Sequence, residues 1–186
     1  MTFTVRARAD AIATFRFISV SLMETLARWV PTTPELEVKV LFGRHLWELA
    51  QHADAFGRRT AELRLGPQVS RDPAPGFLAF LTTLRATTET AGRIAKFYDG
   101  ALSRLESLYR DYLTRTDGLL DEPSVRILER ALSDLTRLRH EAAEVRRERP
   151  EIGTVERSPD GTEPSPSLDA VVQFRSEQVG AESSPA

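Results

Sequence analysis

The chain has 186 residues, enough for one compact domain and a tail, and its 41% hydrophobic and 28% charged content is that of a soluble globular protein. A formal net charge of -2 gives no bulk attraction to nucleic acid or to an acidic membrane surface, and the absence of cysteine excludes disulfides, thiolate nucleophiles and thiolate metal sites. No apolar run is long enough to cross a bilayer, and MTFTVRARADAIATF is too charged for a secretory signal, so a cytoplasmic location is expected.

Val5 to Val30 carries Ile12, Phe15, Phe17, Val20, Met23, Leu26, Ala27 and Val30 at helical spacing and predicts a first helix. Glu24, flanked by Phe17, Val20 and Ala27, is expected to point inward. Pro31 ends the segment by disfavouring helix at the residue before it. Thr33 is the expected cap of a second helix, with Pro34 at its first position and Glu35 and Glu37 at the positive end of the dipole. So short a connection makes the first two helices antiparallel neighbours.

The second helix is expected to run to about Leu65, where Gly66-Pro67 stops it. At ~100° per residue, Val38, Leu41, Phe42, His45, Leu49, His52, Phe56 and Leu63 share one face, with Glu48 at its edge. Two imidazoles and an acid on such a face need partners, because an unpaired buried polar group costs about 1–3 kcal/mol. The partner is another side chain, a water or a metal. Leu36, Val40, Trp47 and Ala50 form a second apolar face, the mark of an enclosed helix or of a contact surface.

Gln68 to Gly76 reads as a loop, and Phe77 to Arg85 as a small helix or the start of the next one. A third helix is placed from about Thr87 to Thr114, with Ile94, Tyr98, Leu102, Leu105, Tyr109 and Tyr112 as its stripe and Gly92 and Gly100 weakening it. The three tyrosines read as core. Asp117-Gly118 marks a turn, and Asp121-Glu122-Pro123-Ser124 opens a fourth helix. That helix spans Val125 to Arg149, with Leu128, Leu132, Leu135, Leu138, Ala142 and Val145 facing inward. Arg137, Arg139, Arg146, Arg147 and Arg149 interleave with Glu141, Glu144 and Glu148 and read as a solvated face of i, i+4 pairs, with His140 at the surface.

From Glu151 the composition turns to proline, serine and acids, and residues 151–186 read as a disordered tail after a body of 1–150. Seven acids against Arg157 and Arg175 give the tail a charge of -5. Leu168 to Phe174 (LDAVVQF) is a less polar island within it, either a docking motif or an incidental apolar patch.

Two tight connections around one long one describe a helical bundle with a single crossover between helices two and three. The stretches Gly43 to Asp54 (GRHLWELAQHAD) and Asp121 to Leu128 (DEPSVRIL) resemble the ferritin-like superfamily of carboxylate-bridged di-metal proteins. The resemblance covers about residues 5–149 and implies an all-α, antiparallel four-helix bundle. Such sites take a carboxylate from each of two helices and a Glu-x-x-His pair from each of the other two. Glu24 serves for the first helix. Leu49 stands three residues before His52, and Arg137 three before His140, where acids belong. His45-x-x-Glu48 and Glu48-x-x-x-His52 remain as pairs, and Asp99 and Glu106 on the third helix are off-centre.

The resemblance therefore implies a ferritin-like scaffold with an incomplete site. The expected function is that of a non-catalytic accessory protein, with no catalytic residues, no resident cofactor, and a protein partner or homodimer contact through Leu36, Val40 and Trp47. The alternative is a metal-dependent oxidoreductase or metal-binding protein holding iron or manganese with Glu24, His45, Glu48 and His52. Neither reading involves nucleic acid or a membrane.

Overall fold

The computed structural model describes residues 3–152 and 166–175, and among these the chain is all-α, with no strand. Helix α1 spans Val5–Trp29 and starts where the Thr4 hydroxyl accepts a hydrogen bond from the Ala7 amide at 3.2 Å. Pro31 breaks it into a 3-10 turn, Val30–Thr32. Helix α2, Leu36–Glu62, follows at once. Thr33 does not cap α2. Its buried hydroxyl donates to the Trp29 carbonyl and accepts from Arg93, both at 2.8 Å, so it closes the end of α1 instead. The start of α2 has no side-chain cap, and the Glu35 carboxylate accepts from the Thr90 hydroxyl at 2.8 Å.

Beyond α2 the chain turns through three residues of positive φ, Arg64, Gly66 and Gln68. Gly66, at φ +96, is the one that lacks a Cβ to strain there. The apolar stretch that follows forms a helix of its own, α3, Pro75–Arg85. Then comes one long rod in three parts: α4, Thr90–Ile94; a π-helical segment, Ala95–Ala101; and α5, Leu102–Arg115. The sequence predicts a plain helix here. A π turn closes i→i+5 bonds and takes up one extra residue. The consecutive Phe97 and Tyr98 are both fully buried in it, with their rings in edge contact at 5.1 Å. Helix α6, Glu122–Glu148, completes the body, and a single helical turn, α7, Leu168–Val171, returns to it.

Helix α1 packs along α2, α2 along α6, and α6 along α5. The Phe15 ring meets Tyr109 at 5.0 Å and Tyr112 at 5.8 Å, which brings α5 back onto α1. One end of the core is built on Phe15, Phe56, Tyr109 and Tyr112, and the other on Trp29, Phe42 and Phe97. The α2 stripe from Val38 to Leu63 is buried throughout, as is the tyrosine stripe of the third rod. No helix among the described residues is long and apolar enough to cross a membrane.

Two expectations are corrected. Glu24 points outward, because the Phe17–Val20–Ala27 flank of α1 is only partly covered by α3, and its carboxylate pairs with Arg85 at 3.1 Å. The island at 168–174 belongs to the folded body rather than to a disordered tail: Leu168, Val171 and Val172 are buried in the core. The expected disorder of 153–165 and 176–186 falls outside the described residues.

Candidate functional site: a polar cluster between α2 and α6

Helices α2 and α6 run antiparallel, and their facing polar residues are spaced eight and then seven positions apart on both helices. Glu37 pairs with Arg149, His45 with Glu141 and His52 with Asp134. Seven or eight residues are close to two helical turns, so each step returns to roughly the same side of the helix. The α2 stripe thus has its polar partners on α6, at the margin of the core.

His45 is fully buried and bonded on both sides. Its Nε2 lies 3.1 Å from Glu141 Oε2 and its Nδ1 2.7 Å from the Tyr98 hydroxyl. A carboxylate only accepts, so the neutral ring donates from Nε2 to Glu141 and accepts from the Tyr98 O–H at Nδ1. Burial pulls the His45 pKa below the ordinary imidazole value, with the bond to Glu141 opposing. Burial likewise holds the Tyr98 hydroxyl well above the ordinary phenol value. The π segment is what delivers Tyr98 to this position.

His52 repeats the arrangement one heptad on, with one difference. Its Nε2 donates to Asp134 Oδ2 at 3.1 Å, but the third rod presents Leu105 rather than a tyrosine one heptad from Tyr98. The buried Nδ1 of His52 has no hydrogen-bond partner. Burial lowers its pKa too, against the bond to Asp134. His52 also lines a cleft of about 530 Å³ between α2 and α6, walled by Gln51, Arg58, Arg126, Ile127 and Arg130.

Arg137 joins the two histidine–acid pairs. Its guanidinium reaches Glu48 at 2.9 Å and Asp134 and Glu141 at 3.1 Å each. The hydrogen bonds to Asp134, Glu48 and Glu141 raise its pKa further above the ordinary arginine value. Burial raises the Asp134 and Glu141 carboxyls, but the bonds from the histidines and from Arg137 outweigh it and leave both below the usual carboxylate range. Arg44 adds a further contact to Glu141 at 3.0 Å.

His45, Glu48 and His52 are thus brought together, and Glu24 lies apart on α1. Among the described residues no group of three or more His, Asp or Glu side chains converges as a metal-binding cluster. The donor set does not fit an iron or manganese ion. Both ring nitrogens of His45 are engaged, and the carboxylates of Glu48, Asp134 and Glu141 converge on a permanent cation. Asp99 and Glu106 pair with Arg146 and Arg139 across the α6 interface, at 2.9 and 3.0 Å. Those two arginines therefore bridge helices rather than forming pairs along α6. His140 is exposed.

A second polar node lies at the other end of α2. Asp121, fully buried at the entry to α6, accepts from Arg59 at 2.9 Å, the Tyr112 hydroxyl at 2.6 Å and the Thr116 hydroxyl at 2.8 Å. Burial raises its carboxyl, but the donors, with Ser124 first, hold it below the usual range. The helix-start pattern at 121–124 is real, yet the Asp121 side chain caps no helix amide. It serves this node.

Comparison of the chain with protein-family models, with curated proteins and with solved structures returns no match.

Proposed function

We propose that the protein is a non-catalytic interaction protein on a ferritin-like four-helix scaffold, its polar centre held by arginine in place of metal. One observation carries this reading. The Arg137 guanidinium contacts Glu48, Asp134 and Glu141 within 3.1 Å, so the acids nearest the two histidines already share a cation. A charge that cannot leave neutralises the acids, and His45 has no free lone pair to offer. The contact surface is the outer face of α2, where Leu36, Val40 and Trp47 are 68%, 53% and 63% exposed along one stripe.

Two measurements test it. Elemental analysis of protein produced with iron, manganese or zinc supplied is expected to give sub-stoichiometric metal. Stoichiometric metal that disappears in His52→Ala favours the metal-dependent oxidoreductase reading instead. Light scattering after size exclusion is expected to show self-association that Trp47→Ala abolishes. A strict monomer, with no heterologous protein retained through that stripe, counts against the interaction reading.

A further inference from the structure

The segment 166–175 is held as a ligand is held. It builds one helical turn, α7, whose only side-chain cap is the Ser167 hydroxyl accepting from the Ala170 amide at 3.3 Å. An isolated turn is not stable in water. Its conformation is imposed by the groove between α5, the start of α3 and the N-terminal part of α1.

That groove reads both backbone and side chains. Asp111 Oδ2 accepts from the Leu168 amide and the Ala74 amide donates to the Val171 carbonyl, both at 2.8 Å. Asp10 Oδ2 accepts from the Arg175 amide at 3.1 Å, and the Gln173 side chain donates to the Pro73 carbonyl at 3.0 Å. The two terminal nitrogens of Arg115 take the two oxygens of Asp169, each at 2.9 Å. Leu168, Val171 and Val172 are buried, and Phe174 stacks on Phe3 at 5.8 Å. An acid fork, three apolar positions and paired main-chain groups together make a recognition code rather than a greasy contact.

The distance from the end of α6 to the groove is within reach of the residues between them. Helix α6 ends beside the start of the third rod, where Arg146 donates to the Ile94 carbonyl, and the groove lies at the rod's other end, by Asp111 and Arg115. Those ends are ~25 Å apart at 1.5 Å per residue. Residues 153–165 span up to ~45 Å at about 3.4 Å each. Because the segment belongs to the same chain, it meets the groove without a bimolecular encounter and holds it until a competitor or a cut intervenes.

We propose that the groove between α1, α3 and α5 is a peptide-recognition site, filled here by residues 166–175, and that it accepts in exchange a partner-protein segment of the same Leu-Asp-x-Val-Val chemistry. The test keeps every residue of the chain. A protease site is placed between Ser158 and Ser165, the folded protein is cut, and a fluorescent peptide of sequence 166–175 is added. Saturable binding to the cut protein is expected, with ~tenfold or greater weakening in Arg115→Ala, given the strength of a bidentate arginine–carboxylate pair. An unlabelled peptide with Asp169→Lys is expected not to compete. In the uncut chain, Asp169→Lys is expected to leave the helical circular dichroism unchanged and to admit the labelled peptide. The proposal is overturned if the cut protein unfolds when its segment leaves, if the segment never exchanges, or if the uncut variant melts cooperatively at a much lower temperature without binding peptide.

Discussion

Replacing Tyr98 by phenylalanine removes one oxygen and tests the claim that the α2/α6 cluster is a closed hydrogen-bonded unit. The hydroxyl lies 2.7 Å from His45 Nδ1, and both residues are fully buried. Its loss leaves the Nδ1 lone pair without a donor, which costs about 1–3 kcal/mol. His45→Leu alone orphans the Tyr98 hydroxyl and costs a similar amount on the same grounds. The double variant removes both orphans, while Glu141 keeps Arg44 and Arg137. The two losses are therefore expected to fall short of additivity by about 1–2 kcal/mol, since taking away both partners spares the desolvation penalty. Urea unfolding followed by far-ultraviolet circular dichroism measures the cycle, provided the m-values agree. Additivity within about 0.3 kcal/mol refutes the closed unit. So does a melting temperature of the unmodified protein that rises with manganese or iron and ceases to do so in His45→Leu.

Acid sensitivity is expected to begin in the histidine range. Burial places His45 and His52 below the ordinary value of 6.5, so the unfolded chain takes up protons at a higher pH than the folded one. Stability is then intact above about pH 6.5, declines below it, and declines again as Asp134 and Glu141 protonate beneath their ordinary values of 3.8 and 4.5. A urea midpoint unchanged between pH 8 and pH 5 contradicts this, and His45→Leu with His52→Leu is expected to flatten the upper limb. Asp121→Asn leaves the buried Arg59 with the Ser124 hydroxyl and, as its one remaining carboxylate partner among the described residues, the exposed Glu62, and is expected to cost about 3 kcal/mol, the low end for a broken buried pair. A loss under about 1 kcal/mol in chemical denaturation points to a node no stronger than a surface pair. Thr33→Val keeps the shape and loses bonds to Trp29 and Arg93, for about 1–2 kcal/mol by the same assay. Were Thr33 a cap of α2, helicity would fall with it.

The long apolar periods were the legible part of the fold. The α2 stripe and the tyrosine stripe are buried as their spacing demands, because burial of one face per helix is what period 3.6 encodes. The partners of His45 and His52 were not legible. Asp134 and Glu141 sit at the edge of the α6 stripe, where an acid looks like any other solvated charge. The π segment shifts the phase of the third rod by one residue, which no hydrophobic count anticipates, and so Tyr98 read only as core. Glu24 misled because its apolar neighbours sit on the poorly covered flank of α1. The island at 168–174 is too short for periodicity to speak. Its order comes from Asp111, Arg115 and Ala74, all distant in sequence.

The polar pairs between α2 and α6 specify the register of that contact more than they stabilise it. Asp134, Glu141 and Glu148 recur every seven residues, so sliding α6 by one heptad toward its C-terminal side still offers an acid to each histidine. The histidines alone do not discriminate. In that slipped register, however, Glu144 takes the place of Arg137 and faces Glu48, setting like charges together and removing the cation the three acids share. Sliding the other way brings Arg130 into the place of Arg137 but puts Ile127 against His52, whose Nε2–H then has no acceptor. Each slip is blocked by a different residue, and the buried node of Arg59, Asp121 and Tyr112 blocks both by pinning the six-residue turn between α5 and α6. Polar groups kept at such a seam are best understood as fixing one alignment among several that apolar packing alone tolerates. Arg137 does this work as the one cation that Glu48, Asp134 and Glu141 share.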